Sequence, residues 1–155
     1  MRRAKREGDP WSGDVSCPGG FEDPGDDGPI AAALRETWEE LGVDLSEARL
    51  LGALPDRPAA PWRWMAPFSV TPVVFGLTGE PSFTLSPKEV QSVRWVPLEL
   101  VANRAHHEGF WFRWRPGKRW PFAVPVRVQR VRHHDFEVWG LTFNVLQALC
   151  RRVGR

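Results

Sequence analysis

The chain has 155 residues, 42% of them apolar and 26% charged, which suits one soluble globular domain with a real core. No apolar run approaches a membrane span, two cysteines (Cys17 and Cys150) make no disulfide framework, and a net charge of +2 does not by itself imply nucleic acid. The expected compartment is the cytosol. Arg2-Arg3 is followed by charge rather than an apolar leader, and Glu7 and Asp9 argue against a transit peptide.

Residues 1–18 are polar and punctuated by Gly and Pro, and read mostly as loop. Glycines 19, 20, 25 and 28 follow, but no Gly-Lys-Ser/Thr comes after them, so a P-loop is excluded. A short helix comes next. Pro29 suits its first position and Gly42 the residue just past its last turn. Ile30, Leu34, Thr37 and Leu41 form an apolar stripe at helical spacing. Glu36, Glu39 and Glu40 fall within about 100° of one another on the wheel, since residues three and four apart are neighbours. Ala32 and Ala33 lie one turn earlier on that face and leave the carboxylates unshaded. Like charges at this spacing destabilise a helix, and a hard divalent cation such as Mg²⁺ or Mn²⁺ would reverse the effect. A solvated acidic face is the other reading.

In context the stretch resembles the Nudix box, the signature of hydrolases that cleave nucleoside diphosphates linked to another group. Arg35, Glu36, Glu39, Glu40, Gly42 and Val43 match the pattern without gaps, and Gly20 leads through five residues to Asp26, where the family usually has Glu. Eight residues rather than seven separate Asp26 from Arg35, and Thr37 takes an aliphatic slot. Both departures look like the coenzyme A diphosphatase branch. So does the Gly-Asp-Pro-Trp-Ser-Gly run at 8–13 ahead of Pro18-Gly19-Gly20. Cys17, however, stands where that branch has an aromatic. Gly8 stands where an arginine belongs, unless a small gap lets Arg6 serve. Relatives have an apolar strand before Arg2. This chain is therefore expected to lack the usual N-terminal strand and to present a sheet edge open to self-association as a homodimer.

Leu50–Leu54 is a short apolar run fit for a strand. Residues 55–67 hold four prolines with Trp62, Arg63 and Trp64. They read either as a lid, in which Trp62 stacks on a base and Arg63 pairs with phosphate, or as tryptophans packed on a sheet edge. Ser69–Leu77 reads as a buried strand with a bulge or edge at Pro72, and residues 90–96 alternate as another. Ahead of the latter, Glu89 in Ser86-Pro87-Lys88-Glu89 is either a carboxylate able to reach the metal site, as in relatives, or a surface turn residue. Phe110–Arg115 and Phe122–Val128 should pair as a hairpin around Pro116-Gly117, with Trp111, Arg113 and Arg115 on one face. Interleaved basic and aromatic residues also mark single-strand nucleic-acid grooves, but a nucleotide-diphosphate pocket needs the same chemistry and no nucleic-acid partner is expected. The adjacent pairs His106-His107 and His133-His134 lack zinc-ligand spacing. Val138–Thr142 should open the last helix, with Thr142 as its cap and Arg151 and Arg152 at its C-terminal end.

The resemblance implies a single Nudix hydrolase domain over residues 1–155, with its box at 20–43. The implied fold is an α/β/α sandwich with a mixed sheet between the box helix and the last helix. It implies metal-dependent hydrolysis of a small-molecule nucleoside diphosphate derivative, with coenzyme A or a related dinucleotide as the expected substrate. Mg²⁺ or Mn²⁺ would be held by Gly20, Glu36, Glu39 and Glu40, Arg35 would orient Glu36, and Glu36 or Glu89 would be the general base. NADH, ADP-ribose and oxidised nucleoside triphosphates are alternative substrates, and a catalytically inactive nucleotide-binding module is the alternative outside enzymes.

Overall fold

The structure is a computed structural model describing residues 1–9, 11–59, 68–114 and 124–154. Its contacts divide the chain into two compact units, Met1–Pro55 with Thr71–Trp95, and Asp56–Val70 with Val96–Arg155. Among the described residues every paired strand runs antiparallel, in four small sheets rather than in one mixed sheet.

The first unit is built around helix α1 (Gly28–Leu41), which the sequence delimits well. Pro29 lies in its first turn, and Gly42 closes it in the left-handed conformation (φ 64°), donating its N–H to the Trp38 carbonyl at 2.8 Å. Leu34 and Leu41 pack with Met1, Val43, Leu45, Phe75, Leu85, Val90 and Val93. Thr37 is buried, its hydroxyl satisfied by the Ala33 carbonyl at 2.7 Å, so a polar residue fits an aliphatic slot. Ile30, expected in the apolar stripe, is instead exposed at the first turn.

Strand β1 (Arg2–Arg3) pairs with β6 (Val90–Ser92), and Arg2 bridges back to Val15. Residues 1–16, which read mostly as loop, thus fold back on themselves, and Met1 and Ser16 exchange two hydrogen bonds. Strand β2 (Arg49–Ala53) pairs with β5 (Val73–Gly76) through an irregularity between Leu50 and Gly52, where Gly52 has φ 124°. The single strand expected over 69–77 is broken. Thr71 and Pro72 separate β4 (Ser69–Val70) from β5, since proline offers no N–H to a ladder. The strand expected over 90–96 stops at Ser92.

In the second unit β3 (Arg57–Pro58) pairs with β4. Helix α2 (Leu98–Ala102) and a short 3₁₀ turn (Arg104–His106) precede a meander of β7 (Glu108–Trp114), β8 (Val124–His133) and β9 (Phe136–Trp139). The expected hairpin is present in the register Trp111↔Arg127, although its connection lies outside the described residues. Val101, Val131, Phe136, Val138, Phe143 and Ala148 are buried here. Helix α3 (Gly140–Val153) closes the chain with Arg151 and Arg152 in its last turn. Thr142 is not its cap. Trp139, extended at the end of β9, holds that position, and Gly140 (φ 60°) turns the chain into the helix. No described helix is long and apolar enough to cross a membrane.

Candidate active site

The carboxylates of α1 are organised by two backbone elements that the helix itself does not provide. On one side, the Gly19-Gly20 turn lies against the helix. The Gly19 N–H donates to Glu40 Oε2 at 2.9 Å, and a Cβ on Gly20 would overlap the Glu36 carboxyl group. Only glycine allows that approach.

At the other end, residues 84–86 cap the open carbonyls of the helix. The Thr84 N–H donates to the Leu41 carbonyl at 2.8 Å and the Ser86 N–H to the Glu40 carbonyl at 2.9 Å. The Ser86 carbonyl then accepts from the Glu89 and Val90 N–H groups, closing a turn that carries Glu89 toward Glu40. The N-terminal fold-back fixes this turn from outside. The Ala4 N–H donates to the Glu89 carbonyl at 2.8 Å, and the Arg6 guanidinium reaches the Lys88 carbonyl at 2.7 Å and Glu89 Oε1 at 3.3 Å.

Arg35 is the hub of the box. It grips Asp26 through Nη2 (2.8 Å) and Nε (3.1 Å), donates from Nη1 to Glu36 Oε1 and Glu39 Oε2, both at 3.1 Å, and donates from Nη2 to the Phe21 carbonyl at 3.0 Å. Asp26 is lowered below the ordinary carboxylate range, chiefly by the Arg35 hydrogen bonds, and Arg35 is raised chiefly by Asp26.

Glu40 behaves oppositely. At 5% exposure its pKa is pushed up to about 7, first by burial and then by the charges of Glu36 and Glu89, against the Gly19 N–H and Arg3, which lower it. Glu36, Glu39, Glu40, Glu89, Arg35 and Gly20 therefore belong to one unit of the chain, with Glu36, Glu40 and Glu89 coupled through charge. Trp62 and Arg63, expected at the substrate, lie outside the described residues. Arg3 leaves no signal in the spacing, since its approach depends on the N-terminal fold-back, and Arg6 entered only as a stand-in for the arginine missing at Gly8. Two shallow clefts, of about 300 Å³ at Phe75, Leu77 and Trp95 and about 280 Å³ at Leu34, Trp38 and Leu45, are not lined by these carboxylates.

Among the described residues no three His, Cys, Asp or Glu side chains close on one point as a metal set, and Arg35 occupies one oxygen each of Glu36 and Glu39. The donor chemistry nonetheless fits a hard divalent cation. Every donor is oxygen, and the buried Glu40 carries a like-charge excess that a cation would relieve.

Fold and site together define an α/β protein with a carboxylate-bearing helix held by a glycine turn. Residues 1–115 match the family model described as NUDIX domain. The uncharacterized Nudix hydrolase NudL of Escherichia coli K12 is 32% identical over 143 residues, covering 92% of this chain and 68% of NudL, and the NudL of E. coli O7:K1 matches equally. An uncharacterized Schizosaccharomyces pombe protein, C14C4.10c, is 38% identical over 101 residues, 63% of this chain but only 31% of that protein. The chain belongs to the Nudix family, hydrolases of nucleoside diphosphate-linked compounds that generally use divalent metal ions.

Proposed function

We propose that this chain hydrolyses the diphosphate linkage of a nucleoside diphosphate joined to a second moiety, with a coenzyme A-like dinucleotide as the substrate class. The observation that carries the reading is the convergence of the Gly19-Gly20 turn and the 86–89 turn on Glu36 and Glu40. In this reading the Gly20 carbonyl with Glu36, Glu39 and Glu40 would hold Mg²⁺ or Mn²⁺, which supplies charge neutralisation for the diphosphate and a more acidic attacking water.

The chain's own residues account for the rest. Asp26 anchors Arg35, and Arg35 fixes the Glu36 carboxylate by a charge-assisted bond. Glu89, held through Lys88 and its own backbone by Arg6 and Ala4, would take a proton from water on a carboxylate oxygen. Glu36 is the other candidate base.

A second reading, a nucleotide-binding module without turnover, draws on the hold of Arg35 on Glu36 and Glu39. One experiment separates the two: a panel of coenzyme A, NADH, ADP-ribose and oxidised nucleoside triphosphates incubated with Mg²⁺ or Mn²⁺, with products weighed by mass spectrometry. Products whose masses sum to substrate plus one water, two phosphate monoesters from coenzyme A, NADH or ADP-ribose and a nucleoside monophosphate with pyrophosphate from a triphosphate, establish hydrolysis. Binding without product, by calorimetry on the same panel, establishes the module.

A further inference from the structure

The β7–β8 ribbon has two unlike faces. Phe110, Phe112, Val126 and Val128 are half-buried on one of them, where Phe110 and Phe112 pack against Trp139. The arginines on that side are neutralised. Arg130 pairs with Glu137 at 2.7 Å and Glu108 at 3.1 Å, and Arg132 pairs with the same two carboxylates at 2.9 and 3.2 Å. The opposite face carries Trp111, Arg113, Arg127 and Gln129, all exposed, with Gly109 and Pro125 completing the ladder. Trp111 is 69% exposed. Among the described residues this stretch of the face holds no carboxylate, and neither Arg113 nor Arg127 has an ion pair. The chain's small net charge of +2 conceals this local excess.

Local geometry makes the surface flat. Trp111 sits directly opposite Arg127 in the register, and Arg113 follows Trp111 on the same side about 7 Å along the strand. Gly109 contributes by having no side chain. A Cβ there would meet Arg127 Nε at 3.1 Å and Nη2 at 3.2 Å, so the guanidinium lies across the strand beside the indole. An open indole next to two uncompensated guanidinium groups is suited to an anion that also presents a planar ring. A base can stack on the indole while phosphates on either side meet the arginines.

We propose that this face binds single-stranded nucleic acid, with a base on Trp111 and phosphates on Arg113 and Arg127. Single strands fit better than duplex, because a stacking platform needs an unpaired base face. The proposal uses none of the α1 carboxylates and stands independently of the hydrolase reading.

The test is fluorescence anisotropy of the whole chain with a labelled oligouridine of about 12 nucleotides across a salt series. Trp111→Ala should weaken binding about tenfold, and Trp111→Phe should recover most of the loss. Arg113→Ala and Arg127→Ala should each flatten the slope of log affinity against log salt by about 0.7. Gly109→Ala should act like Arg127→Ala. Arg104→Ala, an exposed arginine off the ribbon, should leave both affinity and slope unchanged, and circular dichroism checks that each variant is folded. Four outcomes overturn the proposal: no binding at low salt up to about 100 µM protein, equal binding by Trp111→Ala and wild type, tighter binding of a duplex of equal length, or Trp111-dependent binding seen with phosphatidylglycerol vesicles but not with the oligonucleotide.

Discussion

Arg35 and Asp26 clasp each other across the loop that leads into α1, with Nη2 2.8 Å from Oδ2 and Nε 3.1 Å from Oδ1. The Asp26 side chain is only 7% exposed, and the same arginine continues to Glu36 and Glu39. Asp26 thus acts on the box carboxylates through Arg35. Without the Asp26 carboxylate, the guanidinium would settle further onto Glu36 and Glu39. Asp26→Asn should lower Mg²⁺-dependent hydrolysis about 10- to 100-fold, the range typical of residues that orient metal-binding carboxylates. A kcat within twofold of wild type would show that Arg35 needs no anchor.

Glu40 gives a prediction in two parts. Glu40→Gln should cut turnover at least about 10²-fold if this carboxylate serves the metal-dependent chemistry. Its effect on stability in EDTA should have the opposite sign. In the folded chain the carboxyl titrates at about 7, against an ordinary value of 4.5. Between those values the folded state binds more protons than the unfolded one, so this group makes stability fall as pH rises. The penalty is absent below about 4.5 and complete above about 7. It is bounded at roughly 3 kcal/mol, and water reaching the carboxyl makes it smaller. Asp9 and Asp26, whose values are lowered, act the other way at lower pH, so the useful quantity is the difference between variant and wild type. Thermal melts of the metal-free proteins should show the advantage of Glu40→Gln growing from pH 4.5 to 7. A constant difference would mean that Glu40 is not strained by its surroundings.

The two ends of the box call for glycine for different reasons, and two alanine substitutions separate them. At Gly20 an added Cβ would strike the Glu36 carboxyl, the end of a flexible side chain that can swing away. Gly20→Ala should therefore leave the melting temperature nearly unchanged while displacing Glu36 and lowering kcat. At Gly42 the backbone is left-handed (φ 64°), and a Cβ would meet the Thr84 Cβ at 2.7 Å and its carbonyl oxygen at 2.9 Å. Gly42→Ala should destabilise the fold by about 2 kcal/mol or more. The hydrogen bonds from Thr84 and Ser86 that position Glu89 would loosen with it. Reversed outcomes, a stable Gly42→Ala and an unfolded Gly20→Ala, would invalidate this division of roles.

What was legible in the sequence was what is local. The ends of α1, its three carboxylates and the place of Arg35 follow from spacing along one helix, because residues three and four apart must be neighbours. The approach of Glu89 is not local. It depends on amides of Thr84 and Ser86 capping the helix carbonyls and on Ala4 pairing with Glu89 across a long separation, neither of which leaves a periodic signal. Short elements were missed for a related reason. The four residues of β9 and the five of α2 are too few to show a period. Strands were overextended where Pro72 interrupts an otherwise apolar run and where the strand expected over 90–96 stops at Ser92. Thr142 was misplaced because a left-handed Gly140 turned the strand into the helix earlier than the hydroxyl pattern indicated.

Substrate preference is the last prediction. In the proposed reading the eight-residue spacer before Arg35 resembles the coenzyme A diphosphatase branch, whereas Cys17 and Gly8 depart from it. The structure gives a physical reason for the second departure. Gly8 has φ 81°, a conformation that strains an arginine, while Arg6 is the cation that reaches the Glu89 turn. Arg6 is thus committed to the Lys88 carbonyl and Glu89 rather than left open for a phosphate. Losing an arginine–phosphate contact weakens affinity by about one to two decades. Coenzyme A should accordingly be cleaved without strong selection, with ADP-containing dinucleotides within about tenfold in kcat/KM. Arg6→Ala should lower kcat more than it raises KM, since its partners are protein groups, and Arg6→Lys should restore part of the loss. A preference above about a hundredfold for oxidised nucleoside triphosphates would remove the chain from the coenzyme A diphosphatase branch, and a rise in KM alone for Arg6→Ala would make Arg6 a substrate contact.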